Sequence, residues 1–263
     1  MHNDLLTIGK FTLHGYSVMI ALGFIIAMSL CLLRAKKKNK DGDVITDIGL
    51  ISVVAGFLGA KILYLIVEYK TLISNPKSVL GFPQIFSGFV VYGGIIFGTL
   101  AVIVYSKIKK INAFEYLDFM VPFIAMVQGF GRIGCFLAGC CYGAPTDSFL
   151  GVTFPANSLA PAGIKLWPTQ LFSAAGDFAI CGILILVSKY NKKNGNMCVL
   201  YAILYAIGRF AVEFFRNDAR GTVGTLSTSQ FISLLVLPVA IGIGVLINLP
   251  KEKKEDKDSG EEA

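Results

Sequence analysis

The sequence predicts an all-α, polytopic membrane protein with about seven transmembrane helices, its N-terminus outside the cell and its C-terminus in the cytoplasm. Of the 263 residues, 54% are hydrophobic and only 16% are charged, whereas a soluble domain has about a quarter charged residues. The apolar residues form runs as long as a bilayer is thick, and basic residues cluster after alternate runs. These observations disfavour a water-soluble fold.

Seven apolar stretches approach the roughly 20 residues that a helix needs to cross a hydrocarbon core about 30 Å thick. They lie near residues 15–33, 47–67, 87–105, 114–138, 169–188, 197–216 and 227–249. Residues 1–13 lack the basic start and the small-residue cleavage site of a signal peptide. The first stretch is therefore expected to remain as a spanning helix.

The connections after the first, third, fifth and seventh stretches contain 15 of the 24 Lys and Arg residues. Basic residues near helix ends are retained in the cytoplasm, so these connections are predicted to be cytoplasmic. The other face has only scattered basic residues, namely Lys10, Lys70, Lys77, Lys165 and Arg220. Because the net charge of +7 comes from short clusters rather than a basic stripe, no nucleic-acid partner is expected.

The domain organisation is predicted to be simple. Residues 1–250 form one transmembrane domain, with an external loop near 139–168 that is rich in Gly, Pro and Ser. Residues 251–263 form a charged tail, which is expected to be disordered and cytoplasmic.

Ionisable side chains within apolar runs are the strongest functional signal, because charges in a membrane are costly and usually face a bundle interior or a wet cavity. This chain has Lys61, Asp118, Arg132, Asp177, Arg209, Glu213 and Arg216 in such positions.

Three of these residues, Arg209, Glu213 and Arg216, have i, i+4 and i+7 spacing, which places them on one face of the sixth spanning helix. One interpretation is an internal ion pair with a snorkelling arginine. The other is an anion site, because guanidinium groups bind phosphate oxygens in two-pronged geometry and stay charged when buried.

Arg132 lies in the segment GRIGCFLAGCCYG, where glycines allow backbones or a ligand to approach closely. Two interpretations remain open for it. It binds an anionic ligand, or it stabilises a helix contact by pairing with a carboxylate such as Glu213.

The closely spaced Cys135, Cys140 and Cys141 raise the question of a metal or redox site. The chain has no paired C-x2-C elements, and its two histidines, His2 and His14, are distant in sequence. Buried free thiols are therefore favoured over a zinc site, and no metal is expected.

Taken in order, the motifs of this chain resemble those of the prolipoprotein diacylglyceryl transferases of bacterial membranes. They are HGY at 14–16, GFLGAKILY at 56–64, GFVVYGGIIFG at 88–98, GRIG with the later CYG at 131–143, WPTQLF at 167–172, GRFAVEFFRND at 208–218 and LSTSQ at 226–230. Together these motifs are specific, although each alone is not.

The resemblance implies an enzyme of the bacterial cytoplasmic membrane that moves the diacylglyceryl group of phosphatidylglycerol to the lipobox cysteine of a prolipoprotein signal peptide. A thioether forms and glycerol phosphate leaves. The implied partners are phosphatidylglycerol, prolipoproteins and the lipid bilayer, and no cofactor is implied.

The resemblance also implies residue roles. The residues expected to act in catalysis are Arg132, Arg209, Tyr92 and Tyr16. Those expected to bind substrate are Arg132, Arg209, Glu213, Arg216, Gly93, Gly94, Gly143, Gln170 and His14.

The chain departs from the family pattern at several polar positions. Tyr92 stands where the family has a histidine proposed as the base, and Cys135, Ala138 and Cys140 replace two asparagines and an acid. Three explanations are open: a different base such as Tyr92, a thiol that needs no side-chain base, or a paralogue with another acceptor. A lipid adduct on Cys135 or Cys140 is a minor hypothesis. A phospholipid-binding or transport protein without catalysis is the alternative from another functional class.

Overall fold

A computed structural model describes residues 4–8, 11–76, 88–217 and 221–249. The helices are α1 (Gly15–Lys37), α2 (Gly42–Val67), α3 (Tyr69–Ser74), α4 (Val91–Lys109), α5 (Ala113–Ala138), α6 (Thr169–Val187), α7 (Asn196–Glu213) and α8 (Thr228–Asn248). Three antiparallel pairs of strands join β1 (Asp4–Ile8) to β2 (Phe11–His14), β3 (Val152–Thr153) to β4 (Lys165–Leu166), and β5 (Thr222–Val223) to β6 (Leu226–Ser227).

Seven of the described helices, all except α3, are long and apolar enough to cross a membrane. This finding confirms the all-α polytopic fold, and each predicted boundary lies within five residues of the observed one. The tail 251–263 and the basic residues Lys10, Lys77 and Arg220 lie outside the described residues. The predicted inside–outside orientation is not tested by the helices themselves and stays a prediction.

The spans alternate in direction, so the bundle has two ends with different contacts. One end, called here the loop end, contains residues 139–168 and the start of α1, which packs against α5 where Gly134 lies beside the Tyr16 backbone. The other, called here the basic end, contains the described clusters that were predicted to be cytoplasmic, those after the first, third and fifth stretches. There the Arg34 guanidinium donates to Ser188 Oγ, and Lys40 forms an ion pair with Glu115.

Helices α2 and α4 pack closely because glycines face each other at their contact. A Cβ atom added to Gly59 would lie only 2.6 Å from the carbonyl oxygen of Gly93. Small residues of this kind let helix backbones approach in a membrane, where packing rather than the hydrophobic effect drives association. Helix α5 makes its main contacts with α1 and α6 instead.

Asp118, an acid within an apolar run of α5, serves as a cap for α7. Its carboxylate accepts hydrogen bonds from the backbone N–H groups of Gly195 at 2.7 Å and Cys198 at 2.9 Å. These donors belong to the first turn of α7, which has no intrahelical partners for its N–H groups. A carboxylate at a helix N-terminus also interacts favourably with the helix dipole.

The loop of residues 139–168 has a small core of its own. Phe154, Ala160 and Leu166 are buried together, and the Phe136 ring of α5 packs edge-on against Phe154 with 5.8 Å between the ring centroids. Pairing of Pro145 with Leu166 and of β3 with β4 holds the loop in place. The segment predicted as a loop is thus a folded cover over the loop end.

We expect Asp118→Ala to lower the free energy of unfolding by about 2–4 kcal/mol, because two buried backbone donors would lose their acceptor. Denaturant unfolding in detergent micelles would measure this loss. Asp147→Ala is the matched control, since Asp147 is an exposed loop acid, and its effect should stay within about 0.5 kcal/mol. Equal effects of the two changes would contradict the capping role.

Candidate active site

The predicted stripe on α7 exists as a connected group of charges at the loop end. Glu213 Oε2 lies 3.0 Å from Arg209 Nη2 and 3.9 Å from Arg216 Nε. The three side chains are 11%, 6% and 3% exposed for Arg209, Glu213 and Arg216, respectively. One carboxylate is therefore shared by two buried guanidinium groups, which leaves a net positive charge.

A second contact holds Arg209 from α8. Its Nη2 donates to Ser229 Oγ at 2.8 Å. Its Nη1 is buried and has no hydrogen-bond partner among the described residues. Buried donors are nearly always satisfied in folded proteins, so this nitrogen indicates a place for an acceptor that the described residues do not provide.

Arg132 and Arg209 line one small cavity of about 40 Å³, together with Asp177 and Tyr205. Such a volume accommodates water-sized groups rather than a whole lipid. Asp177 Oδ2 is buried and has no hydrogen-bond partner within the described chain. The carboxylate within electrostatic range of Arg132 is thus Asp177, whereas the sequence suggested Glu213 as its partner.

The three clustered cysteines meet beside this cavity. Their Sγ atoms all lie within 4.8 Å of one another. Cys135 is in the last turn of α5, and the chain reverses after it through two left-handed residues, Gly139 with φ of 73° and Cys141 with φ of 63°. Left-handed backbone costs a residue other than glycine about 1–2 kcal/mol, so the fold holds Cys141 in this position at some expense.

Two buried residues at the start of α6 fix this turn. Thr169 Oγ1 donates to the Cys141 carbonyl at 2.7 Å, and Gln170 Nε2 donates to the Cys140 carbonyl at 2.7 Å. Gln170, expected from the resemblance to bind substrate, is 1% exposed and makes this backbone contact. In the structure its amide therefore positions the cysteine turn.

Arg216 lies next to Cys141 and also pairs with Glu213. Hydrogen bonds with the Cys135 and Cys140 thiols, together with the positive charge of Arg216, lower the pKa of the Cys141 thiol. Hydrogen bonding to Cys135 and Cys141 raises the pKa of Cys140. The three cysteines thus hydrogen-bond to one another beside an arginine.

Gly143 lies where the loop of residues 139–168 crosses the segment after α7. It pairs with Arg216 as an antiparallel bridge. An added Cβ atom would lie 2.5 Å from the Phe215 carbonyl oxygen and 2.6 Å from Trp167 Cβ. The glycine allows a backbone contact that brings Arg216 to the cysteines.

Tyr16 is also part of this region. It lies at the start of α1, is 41% exposed, and is within electrostatic range of Cys135, Cys140 and Arg132. His14 precedes α1 at the N-cap position and is exposed.

The remaining predicted residues lie on another pair of helices. Tyr92, Gly93 and Gly94 are in the first turn of α4, which packs against α2. Tyr92 is 54% exposed, and the two glycines contact α2 at Gly59 and Gly56.

Sequence reasoning did not assign Asp177, Tyr205 or Ser229 to the site. Asp177 was recognisable as an acid within an apolar run, but no local spacing connected it to Arg132. Ser229 lies within the LSTSQ motif without a signal of its own, and Tyr205 resembles an ordinary interfacial tyrosine.

Comparisons with known proteins agree on one family. The sequence profile of the family described as prolipoprotein diacylglyceryl transferase matches residues 3–247. The chain is similar to phosphatidylglycerol–prolipoprotein diacylglyceryl transferase 2 of Clostridium perfringens, with 47% identity over 95% of each chain.

Two further relatives have the name phosphatidylglycerol–prolipoprotein diacylglyceryl transferase. The protein of Clostridium tetani is 44% identical over 92% of this chain and 95% of its own. That of Clostridium botulinum strain Langeland is 30% identical over 94% of this chain and 96% of its own.

We expect Glu213→Gln to lower the free energy of unfolding by about 3 kcal/mol, because removing one member of a buried ion pair leaves the other charge uncompensated. Here two arginines lose their common partner. Glu115→Gln is the matched control, since its ion pair with Lys40 is partly exposed and should contribute about 1 kcal/mol or less. A Glu213→Gln effect no larger than that of the control would show that solvent or another group screens the arginines.

Proposed function

The chain belongs to the prolipoprotein diacylglyceryl transferase family, and on that premise we propose that it transfers the diacylglyceryl group of phosphatidylglycerol to a prolipoprotein. The acceptor is the cysteine thiol of the lipobox in the signal peptide. The product is a thioether, and glycerol phosphate is released. This reaction is the first step of lipoprotein maturation.

The observation that carries the proposal is the charge balance at the loop end. Arg132, Arg209 and Arg216 face two carboxylates, those of Asp177 and Glu213. The excess of one positive charge equals the single negative charge of a phosphodiester. Arg209 Nη1, buried and without a partner among the described residues, is a donor suited to one of the phosphate oxygens.

The chemistry of the transfer requires what this group of residues offers. The acceptor sulfur attacks the glyceryl carbon, a sulfur–carbon bond forms, and the bond between that carbon and the phosphate oxygen breaks. The electron pair leaves with glycerol phosphate, and the thiol proton passes to solvent or a base. Fixed cations at the departing phosphate stabilise the charge that develops there.

The other predicted residues are proposed to shape the site. Arg216 and Glu213 orient Arg209, while Gly143 and Gln170 set the turn beside it. Tyr16, half exposed at the start of α1, is placed to contact the acceptor or the lipid headgroup. His14 and the Gly93–Gly94 pair are proposed to border the lipid, the glycines by setting how closely α4 approaches α2.

We further propose that the protein resides in the bacterial cytoplasmic membrane with the loop end outside. The single catalytic domain is then residues 1–250, and the tail 251–263 is cytoplasmic. This orientation places the basic end in the cytoplasm, in agreement with the distribution of Lys and Arg.

Arg132→Lys and Arg209→Lys are expected to lower transfer at least about 100-fold, because lysine keeps the charge but loses the two-pronged geometry. Transfer of labelled diacylglyceryl from phosphatidylglycerol to a lipobox peptide in proteoliposomes would measure this. Arg34→Lys is the matched control, since Arg34 donates to Ser188 at the opposite end, and it should retain transfer. Full activity of either site variant would exclude its phosphate role.

Tyr92→Phe is expected to leave transfer within a few-fold of the intact chain. The phenol is 54% exposed on a helix that packs mainly against α2 and contacts α5, the helix with Arg132, at only a few positions. Of the three explanations for the altered motif, unchanged transfer would support the one in which the thiol needs no side-chain base. A loss of about 100-fold or more, the size that removal of a general base gives, would identify the phenol as the base. The same peptide assay would measure either result.

A further inference from the structure

The proposed transfer does not use the three thiols of Cys135, Cys140 and Cys141. Yet the fold brings their Sγ atoms within 4.8 Å of one another. Buried free cysteines that act as small apolar residues do not require such convergence, and Cys31 and Cys181 show this ordinary role in the apolar clusters between helices.

The spacing of the thiols suits one soft metal ion. With a zinc–sulfur distance of about 2.3 Å and tetrahedral geometry, two ligand sulfurs lie about 3.8 Å apart. The observed separations stay within 4.8 Å, so a small rotation of the side chains suffices. Three sulfur ligands favour zinc or another thiophilic ion over magnesium or calcium, which prefer oxygen.

The ligands are held in place by the surrounding structure. The Cys140 N–H donates to the Cys135 carbonyl at 3.1 Å and closes the turn after α5. Thr169 and Gln170, both buried, fix the carbonyls of Cys141 and Cys140 from α6. A site whose ligands are preorganised in this way loses little entropy when the ion binds.

The charge of the surroundings is also compatible. Three thiolates and one divalent ion have a net charge of −1, and the Arg216 guanidinium, which also pairs with Glu213, lies beside Cys141. His14 does not belong to the cluster, so the described residues provide three ligands. Three protein ligands with one open position is the arrangement of catalytic zinc sites, whereas structural sites have four.

We propose that Cys135, Cys140 and Cys141 bind one divalent zinc-like ion and that the thiol of the acceptor cysteine occupies its fourth position. The second part rests on the proposed function. A thiol that coordinates zinc loses its proton, here to solvent, and the coordinated sulfur is then the nucleophile that forms the bond to carbon. The ion keeps its charge throughout, and no oxidant or reductant is needed. Such activation would replace the base that the altered motif lacks.

The first experiment uses cobalt(II) as the probe, because its thiolate complexes absorb in the near ultraviolet. The full chain in detergent, reduced and then freed of reductant without oxygen, should bind one cobalt ion with this absorption. Excess zinc should abolish the absorption. Each of Cys135→Ser, Cys140→Ser and Cys141→Ser should weaken binding at least tenfold.

The matched control is the double variant Cys31→Ser and Cys181→Ser, whose cysteines lie in the apolar clusters, and it should bind cobalt as the intact chain does. Thermal unfolding of every variant would separate a lost ligand from a lost fold. No absorption from a folded intact chain would overturn the proposal. So would a disulfide among the three cysteines in protein taken from membranes without reductant.

The second experiment adds a lipobox peptide to the cobalt-bound chain without phosphatidylglycerol, so that no transfer takes place. A peptide with cysteine should intensify the thiolate absorption, whereas the same peptide with serine should not. Equal responses to the two peptides would overturn the proposal that the acceptor thiol coordinates the ion at its fourth position. Because the absorption reports binding alone, a failure of the proposed transferase function would appear only in the assay with labelled phosphatidylglycerol.

Discussion

Each charged group within the spans has to find its partner inside the bundle, because the hydrocarbon around the spans offers none. Glu213 forms ion pairs with two arginines, and Asp118 accepts hydrogen bonds from the first turn of α7. The same constraint applies to Arg209 Nη1 and Asp177 Oδ2, which are buried and have no hydrogen-bond partner among the described residues. At the loop end, these two groups are suited to a polar ligand.

The features that follow from local sequence were predictable. Span length depends only on consecutive apolar residues, so all seven spans were found with boundaries within five residues. The stripe of Arg209, Glu213 and Arg216 follows from helical periodicity alone and forms as expected. The family was recognisable because its motifs appear in the same order along most of the chain, as the profile match over residues 3–247 confirms.

The features that depend on distant segments were not predictable. The proximity of Asp177 to Arg132 joins α6 to α5 and has no signature in either helix. The convergence of the cysteines depends on a left-handed Cys141 and on two hydrogen bonds from α6, whereas the sequence argued only against a zinc site. The N-terminal strand pair and the core of the loop at residues 139–168 were likewise missed, since both consist of short segments of mixed polarity.

The Asp118 cap also has a consequence for the order of events during biosynthesis. Its donor at Gly195 follows it by 77 residues in the chain. While the ribosome is still producing α6, the carboxylate near the start of α5 does not yet have this donor. The contact of Asp118 with the first turn of α7 can therefore form only after the start of α7 has been made.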